Sequence, residues 1–142
     1  MATEGLSAGR TVGVLDRECC LALLGSRSFA RLCSSGPDGA VAVDLTTYAL
    51  QGPDLYFRAS AFGQVARGRS RPVTLQVDDA QDDRPPTWSV TVRGPASRVE
   101  DAATLAMLWS APRSRPWEAG LSAQWLALGL GAVQGRLVSR GS

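Results

Sequence analysis

In the stretch LYFRASAFGQVARGRSRP, residues 55–72, Arg58 and Ser60 stand two apart, ahead of Gly63 and a run of arginines. A forked guanidinium, a hydroxyl and main-chain N–H groups opened by a glycine turn are what a phosphate takes from a protein. The same residues suit the solvated edge of a small β-domain, with Arg58 outward on a strand and Ser60 in a turn. Spacing alone leaves both readings open.

What is missing narrows the chemistry further. The 142 residues contain no His, Lys, Asn or Ile, so all fifteen basic residues are Arg. Lys, Asn and Ile share A/T-rich codons, so their joint loss reads as the base bias of a high-GC bacterium, and arginine abundance says little about function. Without His there is no Ser-His-Asp or Cys-His nucleophile and no imidazole metal ligand. Without Lys there is no Schiff base. Proton transfer is left to Asp, Glu, Cys and Tyr, so in an enzyme of this composition a bound cofactor carries the hard step.

Net charge is +2. Only Arg67, Arg69 and Arg71 cluster, and Asp78, Asp79, Asp82 and Asp83 follow them. A nucleic-acid partner is therefore not expected. The four acids sit in no ligand spacing, so no metal is expected either. Cys19, Cys20 and Cys33 form no framework of disulfides. With no signal-like apolar stretch and no membrane-span run, a reduced cytoplasmic protein is expected, with no membrane partner.

The elements that must position these groups follow from periodicity. Leu15, Cys19, Leu23 and Leu24 fall on one helical face, Asp16 and Glu18 suit its positive end, and Gly25 stops it. The period then changes to two. SFARLC, AVAVDLTTYAL and LYFRAS read as three strands of an antiparallel meander joined by SSGPDG and QGPD. AFGQVARGRSR reads as a loop, and PVTLQVDD and TWSVTVRGPASRVED as two more strands, the second bent at Gly94-Pro95. DAATLAMLW reads as a short helix with Ala103, Met107 and Leu105 or Leu108 inward, and QWLALGLGAVQGRLV as one or two closing strands. The fold class expected is mainly β, a small antiparallel barrel of six to seven strands with short helices.

This order of pieces resembles the pyridoxamine 5′-phosphate oxidase-like family. The resemblance rests on the helix and meander, the Arg-x-Ser turn at Arg58 and Ser60, then VDD, WSVTVRGPASRVED and a closing Gly-Arg. It implies a flavin split barrel over residues 14–138, with a flexible N-terminal arm at 1–13 and a C-terminal tail at 139–142. It also implies a homodimer holding FMN, or in relatives deazaflavin coenzyme or haem, in clefts shared between subunits. Carried onto this chain, Arg58 and Ser60 hold the phosphate with Gly63 and Gln64. Trp88 and Ser89 reach the cofactor ring, and Thr46 and Thr47 line the cleft with Tyr48. The catalytic residues stay open, with a substrate proton coming from water, Tyr48 or a carboxylate. The chain departs from the family pattern at Gln64, where lysine is usual, and at Thr87, Leu45 and Ala30. A neutral donor in place of a charged one costs roughly tenfold in affinity.

The function implied is an FMN- or deazaflavin-dependent oxidoreductase acting on a small molecule. The alternatives are a flavin or small-ligand carrier without turnover, and a cofactor-free barrel repurposed as a biosynthetic cyclase or isomerase.

Overall fold

The computed structural model describes residues 3–7, 10–36, 38–60, 65, 72–79, 87–110 and 123–140. Among these, ten strands and two helices run in the order β1 (Thr3–Ser7), β2 (Arg10–Leu15), α1 (Arg17–Gly25), β3 (Phe29–Ser35), β4 (Val41–Gln51), β5 (Asp54–Ser60), β6 (Val73–Asp78), β7 (Trp88–Gly94), β8 (Ala96–Arg98), α2 (Ala102–Ser110), β9 (Ala123–Gly129) and β10 (Val133–Arg140). All pairings are antiparallel, in the spatial order β1-β2-β10-β7-β6-β3-β4-β5-β9-β8. This is the expected mainly-β split barrel, but with ten strands instead of six to seven. The extra strands come from two places. Residues 3–7 and 10–15, expected as an arm and a helix start, pair with each other, and the second of them pairs with β10. The long strand expected over 87–101 divides into β7 and β8, while the closing segment forms two strands, β9 and β10, within the one or two expected.

The division at Pro95 has a simple cause. Proline has no N–H for the ladder, and a Cβ on Gly94 would lie 3.2 Å from Leu128 Cδ1, so the chain passes close over β9 there. Past Pro95 it leaves β6 and β10 and joins β9 as β8. β4 makes the other crossing, pairing with β3 from Val41 to Thr47 and with β5 from Tyr48 to Gln51.

Alternation fills the interior. Ala30, Leu32, Leu55, Phe57, Val73, Leu75, Val90, Val92, Leu126 and Leu128 form one buried cluster with Tyr48 and Trp88. Helix α1 closes it through Cys20 and Leu24. Cys19, expected inward, is exposed, because the Asp16 cap starts the helix at Arg17 and turns Cys20 under the barrel edge instead. On α2, Leu108 is buried, Leu105 and Met107 are half-buried, and Ala103 is exposed. Cys33 lies half-buried on the outer face, since strand parity sends Leu32 and Ser34 inward. No helix among the described residues is long and apolar enough to cross a membrane.

Candidate functional site

The point where β4 passes from one half of the barrel to the other gathers Thr46, Thr47, Tyr48 and Arg58. Three consecutive β4 residues, Thr46, Thr47 and Tyr48, are buried there, where simple alternation would expose one. The β4–β5 ladder ends at Tyr48–Phe57, so the next β5 residue, Arg58, has no ladder partner on β4. Thr46 replaces it. Its Oγ1 accepts from the Arg58 N–H at 3.1 Å and shares its own proton between Arg58 O at 2.9 Å and Thr47 O at 3.0 Å. The Tyr48 hydroxyl donates to the carbonyl of Leu24 at the end of α1. That bond fastens the helix to the corner and occupies the hydroxyl that the sequence offers as a proton donor.

Arg58 is only 5% exposed. Its Cζ lies 4.7 Å from the centroid of Trp109, at the end of α2, and 5.6 Å from that of Trp125, its cross-strand partner on β9. The two indoles meet edge to face, with centroids 5.8 Å apart and planes at 77°. Trp109 is half exposed and Trp125 buried. Beside them is a pocket of about 270 Å³ between β8, β9 and α2, lined by Arg98, Glu100, Leu105, Trp109, Gln124 and Trp125. Among the described residues the Trp125 N–H and the Gln124 side-chain oxygen, both buried there, have no hydrogen-bond partner.

From sequence Trp125 reads as packing at the subunit interface or over the cleft, and Trp109 is not legible as part of this site. Trp109 reads as the end of an amphipathic helix, and only the β5–β9 register brings Trp125 opposite Arg58. Ser60 ends β5 two residues beyond Arg58. Gly63 and Gln64 lie outside the described residues.

Trp88 and Ser89 are placed apart from this corner, on β7. Trp88 is buried in the barrel core, with the Arg27 guanidinium 5.3 Å from its ring centroid. Ser89, on the opposite face, accepts from Gln76 Nε2 at 3.3 Å. Thr87 donates to Asp79 at 2.7 Å, and Asp79 also pairs with Arg27 at 3.4 Å. Arg31 pairs with Asp78 at 2.7 Å. Two acids of the expected cluster are thus held by arginines. Among the described residues no group of three or more His, Cys, Asp or Glu could hold a metal. On the outer face, a second pocket of about 290 Å³ is lined by Arg27, Phe29, Arg31, Leu45, Gln76 and Asp78.

The cysteine pair is not activated. The Cys19 thiol is pushed up by its hydrogen bond to Asp16 and by that carboxylate's charge, and the Cys20 thiol by burial.

Known proteins share this architecture. The model of the pyridoxamine 5′-phosphate oxidase family matches residues 16–137. No curated protein matches. Among solved structures, an FAD-binding protein from Mesorhizobium loti superposes with a TM-score of 0.75 at 22% identity, over 93% of this chain and 100% of that one. An FAD-binding protein from Mycobacterium smegmatis gives 0.66 at 23%, over 89% and 97%. A flavocytochrome from Azotobacter vinelandii gives 0.67 at 18%, over 89% and 69%. At these identities the likeness is one of fold.

Proposed function

This chain belongs to the pyridoxamine 5′-phosphate oxidase family, and from that membership we propose that it is an FMN- or deazaflavin-dependent oxidoreductase acting on a small molecule. The observation that carries the reading is Arg58, a permanently charged side chain almost wholly removed from water at the end of the strand that leads toward Ser60 and Gly63. A desolvated guanidinium favours an anion strongly, because attraction between charges grows as the local dielectric falls. Its fork fits two oxygens of a phosphate. The residues at hand thus fit the phosphate end of a flavin nucleotide.

The cofactor, when bound, supplies hydride chemistry. The chain's own part is to anchor the phosphate with Arg58 and Ser60, with Gly63 and Gln64 following in sequence, and to keep the cleft dry with Thr46, Thr47 and Tyr48. Trp88 and Ser89 stand as the ring-side pair of the same proposal. The cleft is shared in a homodimer, a reading supported by the exposed apolar residues Phe29, Val41, Val43 and Leu45 on one outer face. A cytoplasmic setting suits three free cysteines.

A carrier without turnover is the second reading. It is favoured by the Tyr48 hydroxyl, which is occupied by Leu24 O and leaves the corner without that proton donor.

The test is the absorbance spectrum of the purified protein, then titration with FMN, FAD, deazaflavin coenzyme and haem. A flavin spectrum or micromolar binding is expected, together with FMN binding weakened about tenfold or more by Arg58→Ala, as loss of a charge-assisted contact requires. Binding of none of the four would end the flavin reading. Reduction of the bound cofactor by NAD(P)H followed by oxidation of a substrate would separate the oxidoreductase from the carrier.

A further inference from the structure

Arg58 is fixed at both ends. Thr46 takes its main-chain N–H at 3.1 Å and its carbonyl at 2.9 Å, while Trp109 and Trp125, edge to face with each other, lie against the guanidinium with centroids 4.7 and 5.6 Å from Cζ. A ring contacts the face of a guanidinium, whereas an oxyanion is bound along its N–H edge, so the two uses do not compete. An arginine with its rotamer already chosen loses less freedom on binding, and one screened from water attracts charge more strongly.

We propose that Trp109 and Trp125 are positioning residues that make Arg58 a reader of phosphate. Helix α2, through Trp109, thereby sets the preference of the site for phosphorylated over unphosphorylated ligands. The inference rests on the assignment of Arg58 as phosphate anchor. It adds two residues on elements distant in sequence from the phosphate turn, and the sequence pattern joins neither of them to Arg58.

FMN and riboflavin differ only in the phosphate, so their affinity ratio isolates the effect. Trp109 is 46% exposed, so its replacement opens no core cavity and the variants can be checked for an unchanged melting temperature. Each flavin is titrated into the wild type, Trp109→Leu and Trp109→Phe. The Leu variant is expected to bind FMN about five- to tenfold more weakly while riboflavin binding stays the same, and Phe to restore part of the loss, as its weaker ring quadrupole dictates.

A second titration uses inorganic pyrophosphate and follows indole emission, which shifts when an anion reaches the guanidinium that the two rings contact. Equal weakening of FMN and riboflavin in the Leu variant, or no change in either, overturns the proposal. Suppose the wild type binds no flavin yet pyrophosphate shifts the emission and Trp109→Leu weakens that response. Then the flavin reading falls and the phosphate-reading clamp stands. If neither flavin nor pyrophosphate registers, both fall.

Discussion

Thr46 shows how much one hydroxyl can carry where a sheet divides. It stands in for a missing ladder partner, and Thr46→Val would keep the shape while removing the group that the buried N–H and carbonyl of Arg58 share. The expected cost is about 1–3 kcal/mol, the penalty for orphaned buried polar groups, read as a lower denaturation midpoint at unchanged slope. A loss below about 0.5 kcal/mol would mean that the main chain re-pairs locally. Gly135 is a second point of this kind. A Cβ there would sit 2.4 Å from Cys20 Sγ and 3.2 Å from Leu15 Cβ, so β10 can run beneath α1 only because this residue has no side chain. Gly135→Ala is expected to destabilise by about 1–3 kcal/mol through overpacking. Most of that should return in Gly135→Ala/Cys20→Ala, and a cycle of four melts reads the coupling. Residue types alone leave Arg58 open between a solvated strand arginine and a phosphate ligand, and the family resemblance is what singles it out. They are silent on Trp109, since its role depends on a helix coming back over β5.

Elements are legible in proportion to how local their causes are. The helix at 17–25 and the strands at 29–35, 41–51, 54–60 and 73–78 follow from period and turn residues, and their bounds lie within a few residues of expectation. The strand at 3–7 escapes such a reading because its sequence is small and polar and only pairing with β2 holds it, while Val12 and Val14 of the strand at 10–15 alternate over too short a run to stand out before β10 pairs with it. Both helices begin on an aspartate cap, and this gives the fold a pH dependence. The Asp16 carboxyl is held below the usual range by hydrogen bonds from the Cys19 N–H and thiol, and that of Asp101 by the hydroxyl and N–H of Thr104. A carboxyl lowered in the folded state adds stability above its unfolded pKa and loses it as pH falls through the folded one. Stability should therefore decline on acidification below the ordinary carboxylate range. Asp16→Asn and Asp101→Asn, which keep a cap without the charge, should flatten that decline in denaturant titrations run at successive pH values. Because α2 carries Trp109, the Asp101 variant should also loosen the indole contact with Arg58 at neutral pH, seen as a change in tryptophan emission.

At the scale of the whole molecule, one outer face of the sheet exposes large apolar side chains among the described residues. Strand parity brings Val41, Val43 and Leu45 of β4 beside Cys33 and Phe29 of β3, and Val41, Val43, Leu45 and Phe29 are 72%, 60%, 59% and 40% exposed. Three β-branched or long apolar side chains in a row on one strand form a contiguous patch, and patches of that kind mark association surfaces. The neighbouring strands set a polar rim beside it, with Arg31 and Asp78 in an ion pair and Gln76 in register with Arg31. This is the anatomy of an apolar interface centre with a charged border. A net charge of +2 puts up little repulsion between two copies. The chain of 15.0 kDa should therefore run at twice that mass in sedimentation equilibrium. Val43→Asp should return it to the monomer, since a carboxylate facing its symmetry mate or an apolar neighbour is buried unpaired at a cost of several kcal/mol. The variant should keep its far-ultraviolet spectrum, because Val43 supports nothing inside the barrel. If it also releases flavin, the cleft draws on both subunits. If it turns monomeric and still binds flavin with unchanged affinity, each barrel holds its cofactor alone. A Val43→Asp protein that stays dimeric would put the interface on another face.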